Sequence, residues 1–201
     1  MTAEVVVLRF GGRRVPRALA GLPVHDVEAP TDVDPLAGTG RMIVVGGLPD
    51  LGIVLTRLLR ADRLDVEVGL VSRPWQARRA RTAGARRVPL IRDETGTVVA
   101  GAAYWLPPDE TARTIAGEGV VDDTLLFDGE VTGVRVEPTA EPPGLRASVL
   151  TGRMRARRWV AGRAAQLGTS GALVVRDGVA APRPVRRSTF YRHTQGWLAV
   201  R

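Results

Sequence analysis

Residues 41–71 constrain the fold more than any other part of this chain. A compact apolar run, Met42-Ile43-Val44-Val45, ends in Gly46-Gly47, and a helical period begins almost at once. A β-branched run stopped by glycine fits a strand buried on both faces. Leu51, Val54, Leu55, Leu58 and Leu59 then recur at the three-and-four spacing of one helical face, with Arg57, Arg60 and Asp62 on the other. Residues 66–71 form the next strand. Strand, tight turn, helix and strand in this order imply a right-handed crossover between parallel strands, and therefore an open α/β sheet.

The flanks extend this pattern. Residues 4–10 are a β-branched run ended by Gly11 and Gly12, residues 13–20 a short helical segment, and residues 24–27 a second strand. Residues 31–39, rich in Asp, Pro and Gly, read as a loop, and residues 76–83 as a basic helix closed by Gly84. After residue 88 the texture changes to short β-like runs, at 88–91, 97–103, 124–127, 131–136, 145–150, 159–164, 172–176 and 197–201. Glu94-Thr95-Gly96, Pro107-Pro108, Asp128-Gly129, Pro142-Pro143-Gly144 and Asp177-Gly178 punctuate them as turns. The expected α/β protein has an open, Rossmann-like lobe over residues 1–88 and an all-β, sandwich-like lobe over residues 89–201.

Composition removes several kinds of chemistry. With no Cys, disulfides, thiolate metal sites and a cysteine nucleophile are excluded, and His25 and His193 are too few for a histidine-rich metal site. Apolar residues at 44% and charged residues at 25% are ordinary for a folded domain. The first residues do not resemble a signal peptide, and no apolar run is long enough to span a bilayer, so a soluble, cytoplasmic protein is expected.

All 29 basic residues are Arg, which genome base composition explains; their placement carries more information. Residues 73–92 hold 7 Arg and no acid, residues 93–141 hold 2 Arg and 11 acids, and residues 142–201 hold 12 Arg and a single acid, Asp177. Segments of opposite sign can neutralise each other on folding. A positive surface that survives folding would attract a phosphorylated small molecule, anionic lipid or nucleic acid, or join copies of the chain.

Residues 41–72, with their hydrophobic strand, Gly-Gly turn, helix and Val-Gly-Leu-Val strand, resemble the nucleotide-binding core of the diacylglycerol kinase and NAD kinase superfamily. The order of an α/β lobe before a β lobe is similar, as is Asp128-Gly129-Glu130, which bacterial lipid kinases of that superfamily carry in a β-lobe turn. The resemblance implies that Gly46 and Gly47 are phosphate-loop glycines, that Glu130 is a catalytic base, and that the cofactors are ATP and Mg2+. Leu48-Pro49-Asp50 stands where the family has Asp-Gly-Thr, and Ser72-Arg73-Pro74-Trp75-Gln76 where it has its Gly-Thr-x-Asn-Asp motif.

The expected site therefore has three parts. Gly46 and Gly47 offer amides to phosphate at a helix N-terminus, and Asp50 contacts phosphate or metal and joins Glu130 in catalysis. Arg73, Arg78 and Arg79 neutralise ligand charge, with Trp75 among them either stacking on a base or packed in the core. The function read from this is binding of a phosphorylated ligand, a nucleotide first of all, between two lobes. Any turnover would be that of an ATP-dependent lipid or small-molecule kinase. The alternative is a non-catalytic binding or assembly module acting through its arginines. In the second lobe Phe190 and Trp197 are expected in the β core.

Overall fold

A computed structural model describes residues 4–201. Five segments build the first sheet from the N-terminal side: β1 (Val5–Phe10), β2 (Val24–Val27), β3 (Arg41–Val45), β4 (Glu67–Val71) and β5 (Ala85–Val88). The last strand of the chain, Trp197–Val200, inserts between β4 and β5. It runs parallel to β4 and antiparallel to β5, while β2, β1, β3 and β4 are parallel throughout. Met42, Ile43, Val44 and Val45 are all buried, so side chains alternating to both faces of β3 are covered.

Helix α1 (Leu48–Arg60) and helix α2 (Ala77–Thr82) follow β3 and β4. Leu51, Val54, Leu55 and Leu58 of α1 are buried, each worth roughly 1.5–3 kcal/mol of transfer free energy before entropy is counted. Close packing of α2 depends on Gly69 of β4, where an added Cβ would stand 3.1 Å from the Ala80 Cβ. Arg41 closes the end of α2. Its guanidinium pairs with Glu67 at 2.6 Å and donates to the carbonyls of Arg81 at 2.7 Å and Ala83 at 2.9 Å, satisfying groups that a helix terminus leaves open. Residues 31–39 are not a plain loop, because Pro30–Leu36 winds as a 3-10 helix held to α1 by the Asp34–Arg57 ion pair.

The second unit is an antiparallel assembly of β6 (Ile91–Asp93), β7 (Val98–Val99), β8 (Ala103–Leu106), β9 (Ile115–Val121), β10 (Thr124–Val131), β11 (Val134–Pro138), β12 (Leu145–Val149), β13 (Val160–Gly162), β14 (Ala164–Arg176), β15 (Val179–Ala180) and β16 (Val185–Arg192). The thirteen-residue β14 organises it: the first half pairs with β9 and β16, and the second half pairs with β8. Trp105 and Phe190 stack at 5.7 Å in its core, both fully buried.

Two expectations change. The chain divides into Met1–Val88 with Gln195–Arg201, and Pro89–Thr194, so Trp197 belongs to the first sheet although Phe190 sits in the second core. Asp128-Gly129-Glu130 is not a turn. It lies inside β10, paired with Glu118, Gly117 and Ala116 of β9, a strand whose Gly and Glu content hides its period. The hairpin turn is at Asp122-Asp123, where Asp122 takes the left-handed φ of 50°.

Candidate functional site at the carboxyl edge of the first sheet

Arg9 of β1, Val45 of β3 and Val71 of β4 stand in register on adjacent parallel strands. The three turns that follow them, at residues 11–14, 46–50 and 72–76, therefore leave the sheet at one level. In open parallel sheets the crevice beyond the carboxyl ends is where ligands bind, because loops diverge there and helix N-termini point at it.

The middle turn does not have the open amides expected of it. The Gly46 N–H donates to the Val71 carbonyl at 3.2 Å, and the Gly47 N–H donates to Asp50 Oδ2 at 2.7 Å. Both donors are consumed within the protein. Gly46 is glycine for lack of space, since a Cβ there would lie 2.5 Å from Asp50 Oδ2, and neither residue needs a positive φ. The Asp50 carboxylate closes the start of α1 instead of facing a ligand with both oxygens. Pro49 has no N–H. Among the described residues, the amides of Leu48 and Asp50 remain without an acceptor in the first turn of α1.

Charge and an aromatic ring flank this turn. Arg13, in the turn after β1, brings Nη2 within 4.0 Å of where a Gly47 Cβ would stand. Sequence reasoning missed it; the available signal was a second glycine pair, Gly11-Gly12, ending a parallel strand just before Arg13-Arg14. On the other side, Gln76 Oε1 accepts from the amides of Ser72 and Arg73, each at 2.9 Å, and from Ser72 Oγ at 3.0 Å. That clamp fixes the turn after β4. Trp75 is 70% exposed, not packed in the core, and the Arg73 guanidinium lies 5.0 Å from its ring centroid. Arg78 and Arg79 are exposed on α2.

Glu130 belongs to the second unit. It is exposed on β10, and its Oε2 accepts from Thr114 Oγ1 at 3.0 Å. Other acids of that unit close turns: Asp122 accepts from the amides of Arg163 and Ala164, and Asp93 is buried in an ion pair with Arg176. Asp177 accepts from the amides of Ala100, Gly101 and Ala102; burial pushes its carboxyl up, against the pull of those three donors.

Among the described residues no group of three or more His, Cys, Asp or Glu side chains converges as a metal site. Asp50 has one oxygen, Oδ2, on the Gly47 amide and is part of no such group, so the described residues build no all-protein cage for Mg2+ at this turn.

A six-stranded, mainly parallel sheet with a glycine turn into a helix, joined to an antiparallel β unit, defines the class as a two-unit, kinase-like α/β fold. It is the fold of the diacylglycerol kinase and NAD kinase superfamily. A diacylglycerol kinase from Bacillus anthracis superposes with a TM-score of 0.74 at 11% identity, over 100% of this chain and 97% of that one. An NAD kinase from Archaeoglobus fulgidus in complex with ATP gives 0.66 at 14% identity, over 98% and 93%. A yeast NADH kinase complexed with NADH gives 0.58 at 7% identity, over 98% and 83%. No protein-family model and no curated protein sequence matches the chain. Among the described residues no helix is long and apolar enough to cross a membrane.

Proposed function

We propose that this chain binds a nucleotide-like phosphorylated ligand at the carboxyl edge of its first sheet, through charge and stacking and without a protein-held metal. The observation that carries the reading is the juxtaposition across three in-register turns of Arg13 beside Gly47 and of Arg73 beside the exposed Trp75 ring. Guanidinium forks match phosphate oxygens, and an exposed indole gives a base a face to stack on. The amides of Leu48 and Asp50 add donors at the positive end of α1. Arg78 and Arg79 on α2 extend the positive field. Support from outside comes from solved proteins of the same fold described in complex with ATP and with NADH. Cytoplasmic placement suits such a ligand.

Phosphotransfer is not part of this reading. The displaced carboxylate, Asp50, serves as a helix-start acceptor, and phosphoryl transfer relies on exact placement of metal and phosphate. Calorimetric titration with ADP and ATP in EDTA tests the proposal. Saturable binding that weakens in Trp75→Ala and in Arg13→Gln/Arg73→Gln is expected. Binding that requires Mg2+, or is unchanged in both variants, contradicts it; tight, steeply salt-dependent binding of nucleic acid alone would favour the assembly-module alternative.

A further inference from the structure

Six arginines of the first unit are exposed and stand on neighbouring elements. Arg13 and Arg14 lie in the turn after β1, Arg17 opens the 3-10 turn Arg17–Leu19, Arg73 lies in the turn after β4, and Arg78 and Arg79 lie on α2. Among the described residues none of these six guanidinium groups has an ion-pair partner. By contrast, Arg9, Arg41, Arg57 and Arg63 are held by Asp26, Glu67, Asp34 and Asp65. Asp32 and Asp50 are engaged with backbone amides at helix starts. The carboxylates of the unit are thus committed elsewhere, and the six positive charges are not neutralised.

Packing joins them into one surface. Leu19, Ala77 and Ala80 share a buried cluster with Val7, Ile43 and Val71, so the 3-10 turn and α2 cover the same face of the sheet. Arg81 Nη1 donates to the Ala18 carbonyl at 2.9 Å and ties the two together. Two strand spacings, roughly 10 Å, separate the turn after β1 from the turn after β4. A mononucleotide carries its phosphates as one compact group, which occupies the guanidinium groups nearest the Gly47 turn and leaves Arg14, Arg17, Arg78 and Arg79 without an anion. Trp75 also argues for a longer ligand. Its ring is mostly exposed beside Arg73, so a base stacked on it is not enclosed and a strand can continue on both sides.

Repeated phosphates with accessible bases are the chemistry of single-stranded nucleic acid. Guanidinium groups along a track neutralise its backbone, and an open aromatic ring takes a base of any sequence. In a duplex the bases stack on one another and offer an indole no face. We infer that this edge binds a single strand of nucleic acid, with one base on Trp75 and backbone phosphates running over Arg13, Arg14 and Arg17 on one side and Arg73, Arg78 and Arg79 on the other. The inference rests on the nucleotide reading of the same edge and takes the mononucleotide as one unit of the strand.

The test is calorimetric titration of the full chain in EDTA with a dodecanucleotide of mixed sequence, with its duplex and with ADP, each at several salt concentrations. The single strand is expected to bind about tenfold or more tighter than ADP and more tightly than the duplex. Its log K should fall against log salt with a slope of about −3 to −4, the value for about four to six phosphates of a single strand. Trp75→Ala should weaken the strand and ADP alike, by about fivefold or more. Arg14→Gln/Arg17→Gln, at exposed positions that the nucleotide reading does not use, should flatten the slope by about 1.4 and weaken the strand while leaving ADP affinity unchanged. A strand that binds no tighter than ADP, or a slope unchanged in Arg14→Gln/Arg17→Gln, overturns the inference and leaves the nucleotide reading standing. Duplex bound as tightly as the strand also overturns it, since the surface would then be a non-specific polyanion patch. Absence of ADP binding overturns the nucleotide reading, and with it the inference that extends it.

Discussion

Asp50 Oδ2 accepts the Gly47 N–H at 2.7 Å and occupies the space in which a Gly46 side chain would begin. One carboxylate thus satisfies the entry to α1, requires the glycine before it, and commits one of its two oxygens within the protein. The same contact explains why a Gly-Gly turn after a buried strand exists here without supplying an open anion cradle.

Asp50→Ala should cost about 1 kcal/mol of stability, the usual scale for losing an acceptor at a helix start. Nucleotide affinity should hold or rise, since the freed Gly47 amide and a reduced negative charge both favour phosphate. Chemical denaturation paired with ADP titration in EDTA checks this, and a metal-ligand role would instead predict lost, Mg2+-dependent binding.

Gly46→Ala places a Cβ at 2.5 Å from Asp50 Oδ2 and should destabilise by about 1–3 kcal/mol as an overpacked substitution. Gly46→Ala/Asp50→Ala should lose less than the sum of the single losses by roughly 0.5 kcal/mol or more, because the clash and the acceptor are one feature. Additive losses in urea denaturation would separate them.

Trp75→Ala should leave stability within about 0.5 kcal/mol, since a 70% exposed ring contributes little to packing. Nucleotide affinity should fall by roughly 1–3 kcal/mol, the range for a base stacked on an aromatic ring. Thermal melts and calorimetry on the same sample read both quantities.

Acid stability should depend on Asp34. Its hydrogen bonds to Arg57 hold the carboxyl below the usual range, so the stabilisation is fully present above the unfolded value near pH ~4 and is lost as pH falls through the lower folded value. Asp26, bonded to Arg9, acts in the same direction. Asp177 has the opposite sign: burial raises it, and the associated stability is lost as pH rises through its folded value. Asp34→Asn should flatten the acid limb of a Tm-against-pH curve, most clearly at low salt, because the pair is exposed.

Much of the first unit was legible because its signals are local. The apolar run at 42–45, the period of Leu51 through Leu58 and the glycine breaks each act within a few residues, and all appear as β3, α1 and their turn. What was not legible is set by long-range register. The strand at Trp197–Val200 joins β4 across more than a hundred residues, so no local pattern could assign it to the first sheet. Ile115–Val121 carries Gly117, Glu118 and Gly119, which lower strand propensity, and its pairing with β10 turned an apparent Asp-Gly turn into strand interior. Of the expected site residues, Arg73 lies at the edge with Trp75, Gly46 and Gly47 are internally satisfied, and Glu130 belongs to the other unit. Arg13 reached the site through the β1–β3 register, which sequence spacing does not encode.

The most direct measurement is a fluorescence titration of Trp75 with ADP in EDTA, using Trp75→Phe to subtract the other indoles. Saturable quenching that is unchanged on adding Mg2+ and is weakened severalfold or more by Arg13→Gln/Arg73→Gln is the predicted result. No Trp75-dependent signal at saturating nucleotide, or one that appears only with Mg2+, would contradict a metal-free phosphate and base site at this edge.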